Sequence, residues 1–417
     1  MKRRSSELEA ALARLDREHL TRERRTIASF TEPGSRVGIV VAGRALTDFS
    51  SNDYLGLARH PAVAAAMSDC AQRCGAGSGA SHLISGHGHE HRALEEELAA
   101  WTSRPRALLL SSGYMANLAV IGTLAGRGEQ VLLDRLSHAS LIDGARLCGA
   151  RFTRYTHADP AAAQAAFAAD SAPTAVLATD GVFSMDGDVA PLPALARVSR
   201  AQQAWLIVDD AHGLGILGAT GRGSLEHFSL AAEDAPVLVG TLGKALGSFG
   251  AFIAGSADLI ELLVQRARSY IYTTALPQPV AAATRQSLEI AQRESWRRER
   301  VLALAARFRS AAVQLGIPLA PSASSQSPAF PAAGPAPRAQ PLTPIQPVML
   351  GSSVAALAVQ QKLLAAGFFV SAIRPPTVAA GSARLRVALS AAHTESQVDR
   401  LLESLSSACV QQRAMCE

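Results

Sequence analysis

Lys244 stands in Gly240-Thr241-Leu242-Gly243-Lys244-Ala245-Leu246-Gly247, directly after the apolar run Val237-Leu238-Val239. A lysine held among small residues where a loop leaves a buried strand is partly desolvated, which lowers its pKa and releases an amine nucleophile. A solvent-facing loop lysine fits the same local pattern. A phosphate-binding loop fits less well, because Ala245 replaces the hydroxyl residue of G-x-x-x-x-G-K-[ST]. Asp209 and His212 follow the run Trp205-Leu206-Ile207-Val208 in VDDAHGLG. A carboxylate and an imidazole at the end of one strand can converge on one ligand. The aspartate would keep a heteroaromatic nitrogen protonated, and the imidazole would bond a phenolic oxygen. A loop aspartate beside a satisfied core histidine is the plainer alternative.

Ser112-Gly113-Tyr114-Met115-Ala116-Asn117 follows the apolar run at 107–110 and opens a helical stretch. Amide groups exposed at a helix N-terminus favour phosphate. His138, in DRLSHAS, could stack on a flat ring or serve as a structural loop histidine. Arg384 and Arg386 alternate along ARLRVAL and so face opposite sides of a strand. One of them can hold a carboxylate bidentately, the plain alternative being an exposed strand arginine. His82, His87, His89 and His91 are crowded together, but the glycines around them predict a flexible loop and no cysteine or acidic cluster accompanies them. Cys70 and Cys74 lie one helical turn apart with no second pair nearby. No metal site is expected. What remains is an amine, a carboxylate for a pyridine nitrogen, a phenol partner, a stacking imidazole and a phosphate cradle, each at a strand end. Pyridoxal 5'-phosphate (PLP) needs that set.

Short apolar runs at 107–110, 130–133, 175–179, 205–208, 237–240 and 251–254 must position these groups. They alternate with helical stretches, which predicts an α/β fold with a mostly parallel sheet flanked by helices. Ligands of such sheets bind beyond the carboxyl ends of the strands. The periodicity also predicts an amphipathic helix over 7–28, strand-like residues over 37–50, and helices over 61–74 and 88–101. The segment 318–347 is dense in proline, alanine and serine and predicts an extended surface excursion with no packed element. Helix 354–366, strand 368–373, strand 384–390 and helix 394–408 then predict a small C-terminal α+β domain. The expected division is 1–55 for an N-terminal helix and strand segment, 56–290 for the large domain and 291–417 for the small one.

Composition narrows the field. Of 417 residues, 48% are hydrophobic and 18% charged, enough apolar surface to exclude disorder for most of the chain. Forty Lys+Arg against thirty-five Asp+Glu leave a net charge of +5 with no long block of one sign, so no nucleic-acid partner is expected. Five cysteines show no disulfide or zinc spacing. The charged start lacks the apolar core of a signal peptide, and no apolar stretch approaches the ~18 residues of a membrane helix. A cytoplasmic protein with no membrane partner is expected.

The stretches SSNDYLGL, HRALEEELAAW, DRLSHASLIDGARL, GVFSMDGDVAPL, VDDAHGLGILG, GTLGKALGSFGAFIAGS, IYTTALP and ARLRVALSAAHT, in this order, resemble the α-oxoamine synthases, PLP-dependent transferases of fold type I. Within that family, residues 373–393 (IRPPTVAAGSARLRVALSAAH) resemble the members that condense L-alanine with a pimeloyl thioester, from CoA or a carrier protein, to give 8-amino-7-oxononanoate in biotin biosynthesis. A sibling reaction, such as transfer of acetyl from acetyl-CoA to glycine, is the nearest alternative.

The resemblance implies roles. Lys244 would form the Schiff base, Asp209 would pair with the pyridinium nitrogen and His212 with the ring hydroxyl. His138 would stack on the ring beside Ser184, and Thr241 with the amides of Gly113 and Tyr114 would bind the phosphate. Thr273 or Thr274 would reach the phosphate from the other subunit of a homodimer with shared sites. Arg386 would hold the amino-acid carboxylate, with Asn52, Arg22 and Thr377 also at the substrate. The chain departs from the family pattern at Asp180, where glutamate is frequent, at Leu242, where phenylalanine is usual, and at His82 and His87.

Overall fold

The computed structural model describes residues 2–169, 173–320 and 341–414. Among the described residues the chain forms two compact units, one within 52–302 with 341–343 and the other within 2–51, 303–320 and 344–414.

The first unit is built on a seven-stranded sheet. In spatial order its strands are Arg106–Leu110, Ala251–Gly255, Val237–Thr241, Trp205–Asp209, Thr174–Asp180, Gln130–Asp134 and Arg151–Tyr155. Only Ala251–Gly255 runs antiparallel to its neighbours. The sheet is therefore mostly parallel, with helices supplying the crossovers. Parallel strands covered on both faces read as continuous apolar runs, and the stretch Leu206-Ile207-Val208 is fully buried. Helices Gly113–Leu124, Ala139–Leu147 and Ala257–Arg266 bury Val120, Ile121, Leu141, Ile260 and Leu263 against that sheet. Truncating one such residue, Ile207→Ala for example, would cost about 2–5 kcal/mol.

Six of the seven strands coincide with the predicted runs to within a residue or two at either end. The seventh, Arg151–Tyr155 (RFTRY), has no apolar run because it is an edge strand with only Tyr155 buried. Parallel register decides what meets at the carboxyl ends. Asp180 and Asp209 are the last residues of their strands and stand directly opposite one another.

The second unit holds two small sheets. Ile27–Phe30, Gly38–Val41 and Arg44–Asp48 form a meander that Phe368–Phe369 extends in parallel, and Ile345–Gly351, Ala383–Ala388 and Ser371–Ile373 form an antiparallel sheet. The N-terminal residues thus share a sheet with C-terminal ones. His393 fastens the two: its ring stacks on Phe49 at 4.1 Å and its Nε2 donates to the Asp48 carbonyl at 3.0 Å. Helices Ser353–Ala365 and Glu395–Ala414 complete the unit.

Three expectations change. The N-terminal helix spans Lys2–Arg17 and the chain turns at His19, whose φ is +54°, while residues 27 and 28 at the end of the predicted helix belong to the strand Ile27–Phe30. The predicted strand 368–373 is two strands in two sheets. The proline-rich excursion is shorter at both ends than 318–347. Leu319 bridges Val348, Thr343 is buried with its hydroxyl donating to the Gly187 carbonyl, and residues 345–347 are strand. Residues 321–340 of that excursion lie outside the described residues. Among the described residues, no helix is long and apolar enough to cross a membrane.

Candidate active site

The site assembles at the carboxyl ends of Trp205–Asp209 and Val237–Thr241. Loop 210–215 leaves the first strand and returns against Ala245. Gly215 permits this, since its φ is +81° and a Cβ there would lie 2.7 Å from the Ala245 Cβ. That approach brings His212 to Lys244, with Nζ 2.7 Å from Nε2. On its other side, His212 Nδ1 lies 2.7 Å from the Tyr54 hydroxyl, which donates to Asn52 Oδ1 at 3.1 Å. One tautomer satisfies all three bonds: Lys244 donates to Nε2, and Nδ1–H donates to Tyr54. His212 is buried at 5% exposure, so its ring is fixed by these partners.

Asp209 is buried and held from both oxygens. Asn117 Nδ2 donates to Oδ2 at 2.6 Å, and the Ala211 amide donates to Oδ1 at 3.1 Å. Asn117 Nδ2 also donates to Ser140 Oγ at 2.8 Å, and Ser140 Oγ lies 2.7 Å from His138 Nδ1. His138 caps the helix Ala139–Leu147 and is tied by its backbone amide to Asp180 Oδ2 at 3.0 Å. Enclosure of the ring's hydrogen-bonded side lowers the His138 pKa and keeps the imidazole neutral, while the residue as a whole remains exposed. A neutral ring with an open side suits stacking on a flat ligand. Burial and then the neighbouring Asp209 charge push the Asp180 carboxyl well above the ordinary range.

The helix Gly113–Leu124 begins beside this group. Ser112 Oγ accepts the Met115 amide at 3.2 Å, and the preceding amides of the first turn have no intrahelical acceptor. Their partial positive charge suits a phosphate. Thr241 ends its strand with its hydroxyl donating to the Gly250 carbonyl at 3.1 Å. The Tyr114 hydroxyl, in contrast, turns to Asp143, leaving only the residue's backbone for an anion. Ser184 lies half-buried in the loop after Thr174–Asp180. Thr273 donates to the Ser269 carbonyl at 2.9 Å, and Thr274 is exposed and bridges Ser81.

The chemistry of this donor set fits PLP: an amine for an aldehyde, an anchored carboxylate for a ring nitrogen, an imidazole with an open side, and helix amides for a phosphate. Arg386, Arg22 and Thr377 belong to the other unit. There Arg384 and Arg386 are both buried at 6% exposure, so neither is the exposed strand arginine of the plain alternative, and Arg384 Nε donates to the Ser382 carbonyl at 2.9 Å. Arg22 and Thr377 are exposed, and Arg374 of the RPPT loop binds the carbonyls of His19 and Thr21 next to Arg22.

Sequence reasoning missed Tyr54, Asn117 and Ser140. Tyr54 and Asn117 stand inside stretches already singled out, SSNDYLG and SGYMAN, yet nothing local marks a tyrosine or asparagine that serves a distant side chain.

Known proteins are similar to this chain in sequence and in fold. The profile of the aminotransferase class I and II family matches residues 44–405. An 8-amino-7-oxononanoate synthase of Methylococcus capsulatus is 58% identical over 374 residues, 90% of this chain and 92% of that protein. One from Pseudomonas aeruginosa is 54% identical over 401 residues, 96% of this chain and 94% of that protein. Among solved structures, a serine palmitoyltransferase from S. paucimobilis with bound PLP–myriocin aldimine has a TM-score of 0.87 at 28% identity over 98% of each chain. An 8-amino-7-oxononanoate synthase from Francisella tularensis has a TM-score of 0.73 at 29% identity, covering 88% of this chain and 99% of that one. With the matched profile, the extent of identity and the shared fold, the chain belongs to the class I and II aminotransferase family and, within it, to the 8-amino-7-oxononanoate synthases, PLP-dependent enzymes of fold type I.

Proposed function

We propose that the protein condenses L-alanine with a pimeloyl thioester, from CoA or a carrier protein, releasing CO2 and the thiol and giving 8-amino-7-oxononanoate. The observation that carries this reading is the chain Lys244–His212–Tyr54–Asn52 beside an anchored Asp209. Lys244, Asp209, His212, His138, Ser184, Thr241 and the amides of Gly113 and Tyr114 hold the cofactor, and Thr273 or Thr274 of a second copy completes its phosphate site in a homodimer. PLP supplies an electron sink for the pair left when the amino acid loses its α-proton. With the cofactor bound, Asp209 would sustain that sink by keeping a positive charge on its ring nitrogen. Lys244 Nζ removes the α-proton of L-alanine and later returns a proton to the same carbon. His212 accepts a hydrogen bond from Nζ and so fixes where that amine points. Arg386 would bind the alanine carboxylate, with Asn52, Arg22 and Thr377 also at the substrate. The enzyme works in the cytoplasm, without nucleic-acid or membrane partners.

The test follows thiol release by the PLP-loaded protein in two mixtures, L-alanine with pimeloyl-CoA and glycine with acetyl-CoA. Release in the first alone is expected. Release in the second alone would replace the substrate and keep the family.

A further inference from the structure

His82, His87 and His91 converge although they lie five and four residues apart in the chain. The segment His82–Gly86 is a single π-turn, with the Gly86 amide donating to the Ser81 carbonyl at 3.0 Å. Such turns recur at functional sites. Glycine is required at its end, since a Cβ on Gly86 would lie 2.1 Å from the Ala80 carbonyl oxygen. The turn is thus ordered where the sequence predicts a flexible loop, and it folds His82 back onto His87, with Nδ1 2.9 Å from Nδ1. The helix His89–Trp101 then presents His91, and one ring nitrogen from each of the three lies within 4.8 Å of the others.

The surroundings supply what metal-binding imidazoles need. Burial lowers all three pKa values, for His82 to about 3, so the rings are neutral at neutral pH and no proton competes for their lone pairs. His91 Nε2 donates to the Leu276 carbonyl, which leaves Nδ1 as its lone-pair nitrogen; that nitrogen now accepts the Gly88 amide at 2.9 Å. His87 Nε2 lies 4.0 Å from Glu95 Oε2. A ligating histidine whose other nitrogen faces a carbonyl or carboxylate is the usual outer-shell arrangement. Metal–nitrogen bonds of about 2.0–2.1 Å at a tetrahedral angle separate two nitrogens by about 3.3 Å, so the His82–His87 pair need open only slightly. His82 and His91 are buried and His87 is exposed, which leaves an entry path and room for water as a further ligand.

We propose that His82, His87 and His91 bind a divalent transition-metal ion of the imidazole-preferring class, such as Zn2+ or Co2+. The ion fastens His91 of the helix His89–Trp101 to the glycine-rich segment 75–88, which packs on residues 270–276. The two segments already meet where Ala275 donates to the Ala80 carbonyl, Ser78 to the Leu276 carbonyl, and His82 stacks on Tyr270 at 4.9 Å. His89, although in the same run, is outside the three and exposed.

The test titrates the chelator-treated holoenzyme with Co2+ by calorimetry and visible absorption, and records Tm with and without Zn2+. One Co2+ per chain, a d–d band of low-coordinate Co2+ and a higher Tm with Zn2+ are expected. His87→Ala, at an exposed position, should weaken Co2+ binding at least about tenfold and remove the band. His89→Ala should bind as the parent does. Absence of stoichiometric binding overturns the proposal, as does binding that survives His87→Ala unchanged, which would place the ion on the Cys70 and Cys74 thiols or the surface.

Discussion

Two histidines at the carboxyl ends of the same sheet show opposite uses of one side chain. His212 has Lys244 at one nitrogen and the Tyr54 hydroxyl at the other. His157 has carboxylates at both, with Nδ1 2.9 Å from Asp134 and Nε2 2.8 Å from Asp188. Those two hydrogen bonds overcome burial and push the His157 pKa up to about 10. His157 is therefore a permanent cation that ties the strand end at Asp134 to the loop carrying Ser184, and it has no proton to exchange near neutral pH. His212 instead stands between an amine and a hydroxyl, and the amine is that of Lys244. A carboxylate on each side builds scaffold, and a hydroxyl on one side leaves room for chemistry.

The sharpest way to break this contrast is at the reacting amine. Lys244→Ala should reduce thiol release by at least about 10⁴-fold, since nucleophile and base are lost together. Its Tm should stay near that of the parent. Asp209→Ala should slow exchange of the alanine α-proton with solvent by about 10²–10³-fold, as measured by NMR in D2O. An unchanged exchange rate would remove Asp209 from the chemistry.

His157→Gln should act in the other direction, lowering stability by about 3–5 kcal/mol in denaturant titrations because Asp134 is left buried without its cation. Its kcat should remain within a few-fold of the parent. A large loss of kcat at unchanged stability would erase the distinction between the two histidines. The same clamp predicts a pH signature. A histidine whose folded pKa is raised contributes its full stability below its unfolded value of about 6.5 and loses it as pH climbs. The stability gap between the parent and His157→Gln should therefore shrink progressively up to about pH 10. The smallest effect belongs to Tyr54→Phe, which removes one hydrogen bond to His212, worth about 1 kcal/mol, and should lower kcat a few-fold with no change in fold.

Much of the scaffold is legible in the chain because buried parallel strands announce themselves locally. Leu206-Ile207-Val208 and Val237-Leu238-Val239 are continuous apolar runs, and the residues that follow them include Asp209, His212 and Lys244, for which catalytic roles are proposed. Arg151–Tyr155 escaped notice because an edge strand needs little burial. The N-terminal strand Ile27–Phe30 escaped because its partner, Gly38–Val41, decides its conformation and the helical spacing of residues 7–28 does not. Among site residues, Lys244, Asp209 and His212 stand out by type and position. Asn117 and Tyr54 do not, because they bond to side chains 92 and 158 residues away.

By itself, the sequence determined which residues end the buried strands and hence which functional groups are available there. Local patterning suffices for that, as burial of an apolar run is a property of neighbouring residues. Tertiary structure alone decided the pairings: the register that sets Asp180 against Asp209, the close approach at Gly215 that delivers His212 to Lys244, and the selection of three histidines from a run of four. Each depends on distances between segments remote in the chain, which packing and strand register set and which no local spacing encodes.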